Sequence, residues 1–190
     1  KAIELYNKAL NVQKKAYGEK HREVAQNYIA QGNFYAHIKD YPSALEKFNW
    51  VLDTYNHEIS RAISSDLILE EINLLYKIVE ALEGKALTLK QLYEQEGNIE
   101  NVIASKEIFE LAQSIIEKMR LATITTEDKI YLTSSNQVSL RGIVETNFLL
   151  NEAKSSIKPL QEAFFYSERN KARTLQRVSQ QNAISSTDFE

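Results

Sequence analysis

From Val24 to Lys39 the chain brings Val24, Tyr28, Gln31/Gly32 and Tyr35 round at steps of three and four residues, the stripe of a helix packed along one side. Asp40 then stops and restarts the chain as an N-cap, and Pro42 falls in the first turn of a second helix, where its missing N–H costs nothing. The pattern predicts an antiparallel pair, Val24 to Lys39 and Pro42 to Tyr55, with Gly32 and Ala44 small enough to let the two backbones approach.

The same pattern occurs earlier. Shifting the chain by 42 residues lays Ala2-Ile3-Glu4-Leu5-Tyr6-Asn7 on Ala44-Leu45-Glu46-Lys47-Phe48-Asn49 and Leu10 on Leu52, with four of these seven pairs identical. A fixed period of this size is the mark of stacked units that bury their apolar faces against neighbours. Between the copies run a helix extension, Val12 to Tyr17, and a turn, Gly18 to His21, in which Gly18 suits a left-handed helix stop. Downstream, Leu89, Tyr93 and Gly97-Asn98 follow in matching order, then Phe109-x-x-Ala112 echoes Tyr6-x-x-Ala9 and Phe48-x-x-Val51. Asn56 to Ile72 reads as a loop with a short helix, followed by a helix from about Asn73 to Gln95. Thr125-x-x-Asp128 resembles a capping box before a long pattern through Ile130, Val138, Ile143, Val144 and Leu149. A last helix is predicted from about Lys158 to Gln181, and the stretch 182–190 reads as a linker or tail.

Gly32-Asn33-x-Tyr35, Asp40-Tyr41-x-x-Ala44 and Phe48 resemble a tetratricopeptide repeat, with Tyr28 where that family most often has Trp and Gln31 where Leu is usual. The 42-residue period resembles the kinesin-light-chain subtype. A second resemblance covers roughly Ala81 to Gln181. There Ala163 to Leu175, preceded by Met119-Arg120 and Asp128-Lys129-Ile130, looks like the closing part of tetratricopeptide regions upstream of a CHAT domain, a caspase-like protease fold. These resemblances imply an all-α, right-handed solenoid of about seven substantial helices over 1–181, acting in protein–protein recognition. Its role would be the regulatory or target-binding arm of a CHAT-type protease, and the alternative is a free-standing scaffold that binds a peptide in its groove. The chain opens at Lys1 inside a helical pattern, which reads as a piece of something longer.

Composition agrees with a helical protein: Gly 5 and Pro 2 in 190 residues is about a third of ordinary usage, too few for the turns of a many-stranded sheet. Cys 0 excludes a thiolate zinc site or a cysteine nucleophile within these residues, but does not separate cytosol from periplasm. With no apolar span and no leader pattern, the cytoplasm is the expected location and no membrane association is expected. His21, His37 and His57 show no metal-ligand spacing, and Gly-x-Ser-x-Gly and Gly-rich phosphate loops are missing, so neither catalysis, metal nor cofactor is expected here. A formal charge of −3 argues against nucleic acid as the partner.

What remains is protein binding. Carrying over the groove positions implied by the resemblance gives Gln26, Ile29, Asn33, Ala36 and His37 from the first full repeat and Leu87, Gln91, Glu94 and Gln95 from the weaker one; the bland alternative is that they simply face water. Repeats that hold chaperone carboxyl termini pair Lys with Asn on this face; Asn33 matches, but Ile29 stands where the Lys would be, so that activity is disfavoured. Arg169, Arg173 and Arg177 recur every fourth residue of the last helix. They read as a docking stripe for an adjacent domain, as a solvated helix end suited to the helix dipole, or as a nucleic-acid contact. Phe164 and Leu175 are expected to hold that helix on the array.

Overall fold

The computed structural model describes residues 2–64, 72–122, 126–154 and 156–187, with side chains described except in 126–136 and 173–187. Among these residues the chain is all helix: α1 (Ala2–Tyr17), α2 (Arg22–His37), α3 (Tyr41–Thr54), the short α4 (Asn56–Ser64), α5 (Ile72–Glu96), α6 (Ile99–Ala122), α7 (Thr126–Lys154) and α8 (Ile157–Thr187). The seven substantial helices are joined by α4, which occupies the segment expected to hold a short helix. α8 continues past Gln181 to Thr187, into the stretch read from sequence as a tail. Thr125 and the capping role proposed for it lie outside the described residues.

Local chemistry sets the boundaries. Gly18 and Gly97 take φ of 85° and 73°, the left-handed conformation that ends a helix without a Cβ penalty. Lys39 adopts φ 62° between α2 and α3, where its Cβ makes the conformation costlier. Asp40 caps α3, its carboxylate accepting from the Ser43 N–H at 3.2 Å, with Pro42 in the first turn. His21 caps α2 by accepting the Glu23 N–H at Nδ1 (3.3 Å), and its ring stacks on Tyr17. The carbonyl of Ile63 at the end of α4 is met by the ammonium of Lys118 on α6, a cation at the negative end of a helix.

Successive helices pair as α2/α3, α5/α6 and α7/α8, and each of the first two pairs is covered by the first helix of the next: α5 packs on both α2 and α3, and α7 on both α5 and α6. The seams are built on aromatic rings seated against glycines. A Cβ on Gly32 would fall 2.8 Å from the Phe48 ring, and one on Gly84 of α5 would fall 2.5 Å from the same ring, so Phe48 of α3 fills the crevice between α2 and α5. One pair further on, a Cβ on Gly142 of α7 would fall 2.4 Å from the ring of Phe109 on α6, which also packs on Ala86 of α5. Ala44 is completely buried as expected, yet the closest contact to the Gly32 site comes from the Phe48 ring rather than from Ala44.

Gln31, at a position where the resemblance implies Leu, belongs to a polar seam between α1 and α2. Its amide donates to Asn27 Oδ1 at 2.9 Å, and Asn27 in turn donates to Gln13 Oε1 at 3.0 Å and to the Tyr6 carbonyl at 3.3 Å. Behind it, Tyr28 stacks on Trp50 at 3.9 Å between centroids, with the Lys14 ammonium 5.5 Å from the Tyr28 ring. Helices α6 and α8 are tied by Lys106 to Glu162 at 2.5 Å.

Candidate protein-recognition surface

Helix α2 is enclosed by α1, α3 and α5, which leaves one narrow stripe open. Gln26, Ala30, Asn33 and His37, at steps of four, three and four, lie along it. Asn33 and His37 are exposed, while Gln26, Ala30 and Ala36 are half-buried. No hydrogen bond or ion pair occupies Asn33 or His37 among the described residues, so their donors and acceptors are available to a partner. The Oε1 atom of Gln26 is shielded from solvent and has no partner among the described residues. Ile29 does not belong to this surface. It is 0% exposed inside the main core, because the flank of α2 it occupies is covered on three sides by neighbouring helices.

On α5, Gln91, Glu94 and Gln95 are exposed in the last turns before Gly97, and Leu87 is half-buried against Ala86, Phe109 and Ile143. Glu94 lies 4.0 Å from Lys90, whose ammonium also reaches Glu145 of α7 at 2.5 Å. Helices α5 and α6, of 25 and 24 residues, are longer than α2 and α3, and they meet well back from the turn: Ser105 Oγ donates to the Ala86 carbonyl at 2.7 Å. Counting from the turn therefore sets Leu87 to Gln95 in a different relation to the helix crossing from Gln26 to His37, and Gly84 is the residue of α5 that shares Phe48 with Gly32.

The arginine stripe of α8 is not free along its length. Arg169 is engaged within the array, 3.5 Å from Glu117 of α6, a carboxylate that also accepts from Gln113 at 2.8 Å and lies 4.0 Å from Arg120. That pairing corrects the expectation that the stripe is unpaired at Arg169, whose side chain is still 38% exposed. The side chains of Arg173, Leu175 and Arg177 lie outside the described residues. Phe164 does not hold α8 in place, since it is 69% exposed; buried Ala163 and half-buried Tyr166 lie inward instead.

Two ionisable groups escaped sequence reasoning. Glu83 is buried between α5 and α7, where Ser139 Oγ donates to its Oε1 at 2.6 Å. Loss of hydration pushes its carboxyl up to about 7; the Ser139 hydrogen bond opposes that rise and the Glu80 charge adds to it. The signal was in the apolar run: Val79, Leu82, Glu83 and Ala86 share a helix stripe, so Glu83 rides on a core-facing flank. Burial likewise lowers the Lys85 ammonium, which the charge of Asp53 on α3 partly offsets. No group of three His, Cys, Asp or Glu side chains able to hold a metal occurs among the described residues, and no helix among them is long and apolar enough to cross a membrane.

Residues 1–57 match the family model of a tetratricopeptide repeat. The match spans α1, α2, α3 and the start of α4. No curated protein and no solved structure matches the chain. A tetratricopeptide repeat is generally a protein–protein interaction module, and the all-α array of paired helices is consistent with that architecture.

Proposed function

We propose that this chain is a recognition arm that holds a partner protein along the open stripe of α2, with no reaction of its own. The observation that carries this reading is the pair Asn33 and His37: exposed, on one stripe, and without a partner among the described residues, inside the segment that matches the tetratricopeptide repeat. Gln26, half-buried two turns earlier, lies on the same stripe. Gln91, Glu94 and Gln95 offer a second polar edge on α5. The expected setting is the cytoplasm. The test is affinity purification with the chain and with Asn33→Ala/His37→Ala. A defined set of proteins retained by the first and lost by the second supports the reading, and equal retention by both rejects it.

A finer role follows from the order of residues between Ala81 and Gln181, which resembles the helical region ahead of a CHAT protease domain, while the 42-residue period resembles the kinesin-light-chain subtype. On this reading the chain regulates, or selects targets for, a protease domain encoded after Glu190. Determining the coding sequence that follows tests it: a domain with paired His and Cys supports the protease arm, and a stop or an unrelated domain favours a free-standing scaffold.

A further inference from the structure

The half-buried lysines of this array hold an oxygen, with one exception. Lys14 meets Glu19 at 3.3 Å, Lys47 meets Glu46 at 2.6 Å, Lys77 meets Glu80 at 3.1 Å, Lys90 meets Glu145 at 2.5 Å and Lys106 meets Glu162 at 2.5 Å, while Lys118 donates to the Ile63 carbonyl. Lys85 of α5 is half-buried too, yet no hydrogen bond or ion pair holds its ammonium among the described residues. The packing shows why. Ser105 donates to the Ala86 carbonyl, and Phe109, four residues after Ser105, packs on Ala86, just as Phe48, four residues after Ala44, fills the Gly32 site. Ala86 is thus the α5 counterpart of Gly32, which makes Lys85 the counterpart of Gln31 and Ala81 that of Asn27. Gln31 donates to Asn27, four residues back, whereas Ala81 is completely buried and offers no acceptor. The seam between α3 and α5 therefore holds a cation where the seam between α1 and α2 holds a satisfied amide. The charge that reaches it is that of Asp53 on α3, beyond ion-pair distance.

A cation without a counter-charge in a partly dry seam favours its neutral form. Burial lowers the Lys85 ammonium from its ordinary value of 10.5, and Asp53 opposes that only in part. A larger share of free amine makes a better nucleophile at neutral pH. Neutralisation also acts differently here. Acylating Lys77 or Lys90 strips a carboxylate of its partner, whereas acylating Lys85 replaces an uncompensated charge by a neutral amide, the group that Gln31 carries in the first seam. We propose that Lys85 is an acylation site that takes an acyl group from an acyl phosphate, and that the resulting amide tightens the α3/α5 seam. The ε-amine lone pair attacks the carbonyl carbon of the donor. The C–N bond forms as the C–O bond to phosphate breaks, phosphate leaves with that electron pair, and the surplus proton on nitrogen passes to water. The inference goes beyond the recognition reading and does not depend on it.

The test treats the folded chain with acetyl phosphate near neutral pH and follows each lysine by peptide mass spectrometry. Lys85 should be acetylated about fivefold or more faster than Lys77 and Lys90, which share its helix and are half-buried but ion-paired. In the chain unfolded with guanidinium chloride that preference should vanish. Lys85→Met, which keeps an apolar stem and removes the charge, should raise the thermal midpoint, whereas Lys77→Met, which strands Glu80, should not. Acetylation of Lys85 no faster than that of Lys77 and Lys90 in the folded chain overturns the proposal. A preference that survives unfolding does so too, because it would belong to the local sequence and not to the seam. A Lys85→Met midpoint at or below that of the native chain overturns the tightening of the seam. Where Lys85→Met fails to fold, partly acetylated native chain is held at its thermal midpoint and divided into folded and unfolded fractions: Lys85-acetylated chains should be enriched in the folded one, and equal division or the reverse overturns the proposal.

Discussion

Glu83 and Ser139 form a buried bridge across the α5/α7 seam, 2.6 Å from hydroxyl to carboxylate, with no cation in contact among the described residues. A carboxyl placed this way is stable as the neutral acid, which is why its midpoint rises from 4.5 to about 7. The native state then holds a proton that the unfolded chain releases, so the stabilisation is full below about pH 4.5 and is lost as pH climbs through 7. At about 1.4 kcal/mol per pH unit of displacement, the loss is on the order of 3 kcal/mol. Thermal melts from pH 5 to pH 8 should show a falling midpoint in the native chain. Glu83→Gln, neutral throughout, should remove most of that slope; an unchanged slope would assign the pH dependence to other groups.

Phe48 is fixed from two sides, by Gly32 of α2 and Gly84 of α5, and cannot retreat from one without striking the other. Gly84→Ala, with its new Cβ 2.5 Å from the ring, and Gly32→Leu should each cost about 1–3 kcal/mol in denaturant unfolding. Gly142→Ala should behave alike through Phe109. Adding Phe48→Leu should make the Gly84→Ala penalty smaller than in the native background, a coupling that a double-mutant cycle reads directly. Additive costs would mean the ring is free to move.

How much of this was legible depends on where the repeat stays regular. Over Ala2 to Tyr55 the period, the Asp40 cap, Pro42 and the pairing of α2 with α3 could all be read, because each is a local signal, and the structure has them in place. The second pair was legible as helices but not in register. Gly97 draws the eye as the repeat's glycine, yet it serves the turn, and the crossing lies at Ala86 and Ser105 because both helices are longer. Gly84 and Gly142 could not be recognised, since the rings they receive belong to other helices far back in the sequence. Ile29 was misplaced for a related reason: its burial is decided by the neighbours that enclose α2, which no single-helix pattern contains. The contact of Arg169 with Glu117 was equally hidden, because it joins α8 to α6 across the array.

Gln31 gives a prediction opposite to what the tetratricopeptide resemblance implies. That resemblance implies Leu at its position, but here Gln31 supplies the donor to Asn27 Oδ1 in a seam that is almost closed to water. Gln31→Leu would leave that oxygen buried without its donor, a cost of about 1–3 kcal/mol. The combined change Gln31→Leu/Asn27→Leu removes both polar groups and should recover part of the loss. Urea unfolding of the two variants decides it; a stabilised Gln31→Leu would show that the seam relaxes to find water.

Arg169 and Glu117 permit a test by reversal. The pair is partly exposed, with the Arg169 side chain 38% open, so solvent and salt weaken it and its worth is about 0.2–1 kcal/mol. Arg169→Glu places two carboxylates together on the α6/α8 face and should lower the melting temperature measurably at low salt and less at high salt. Glu117→Arg alone should also destabilise, by setting three guanidinium groups together with Arg120. The double exchange, Arg169→Glu with Glu117→Arg, should recover most of the loss, because the opposite charges face each other again. A residue kept only for docking would behave otherwise: its reversal would leave the melt unmoved, and the exchange would rescue nothing.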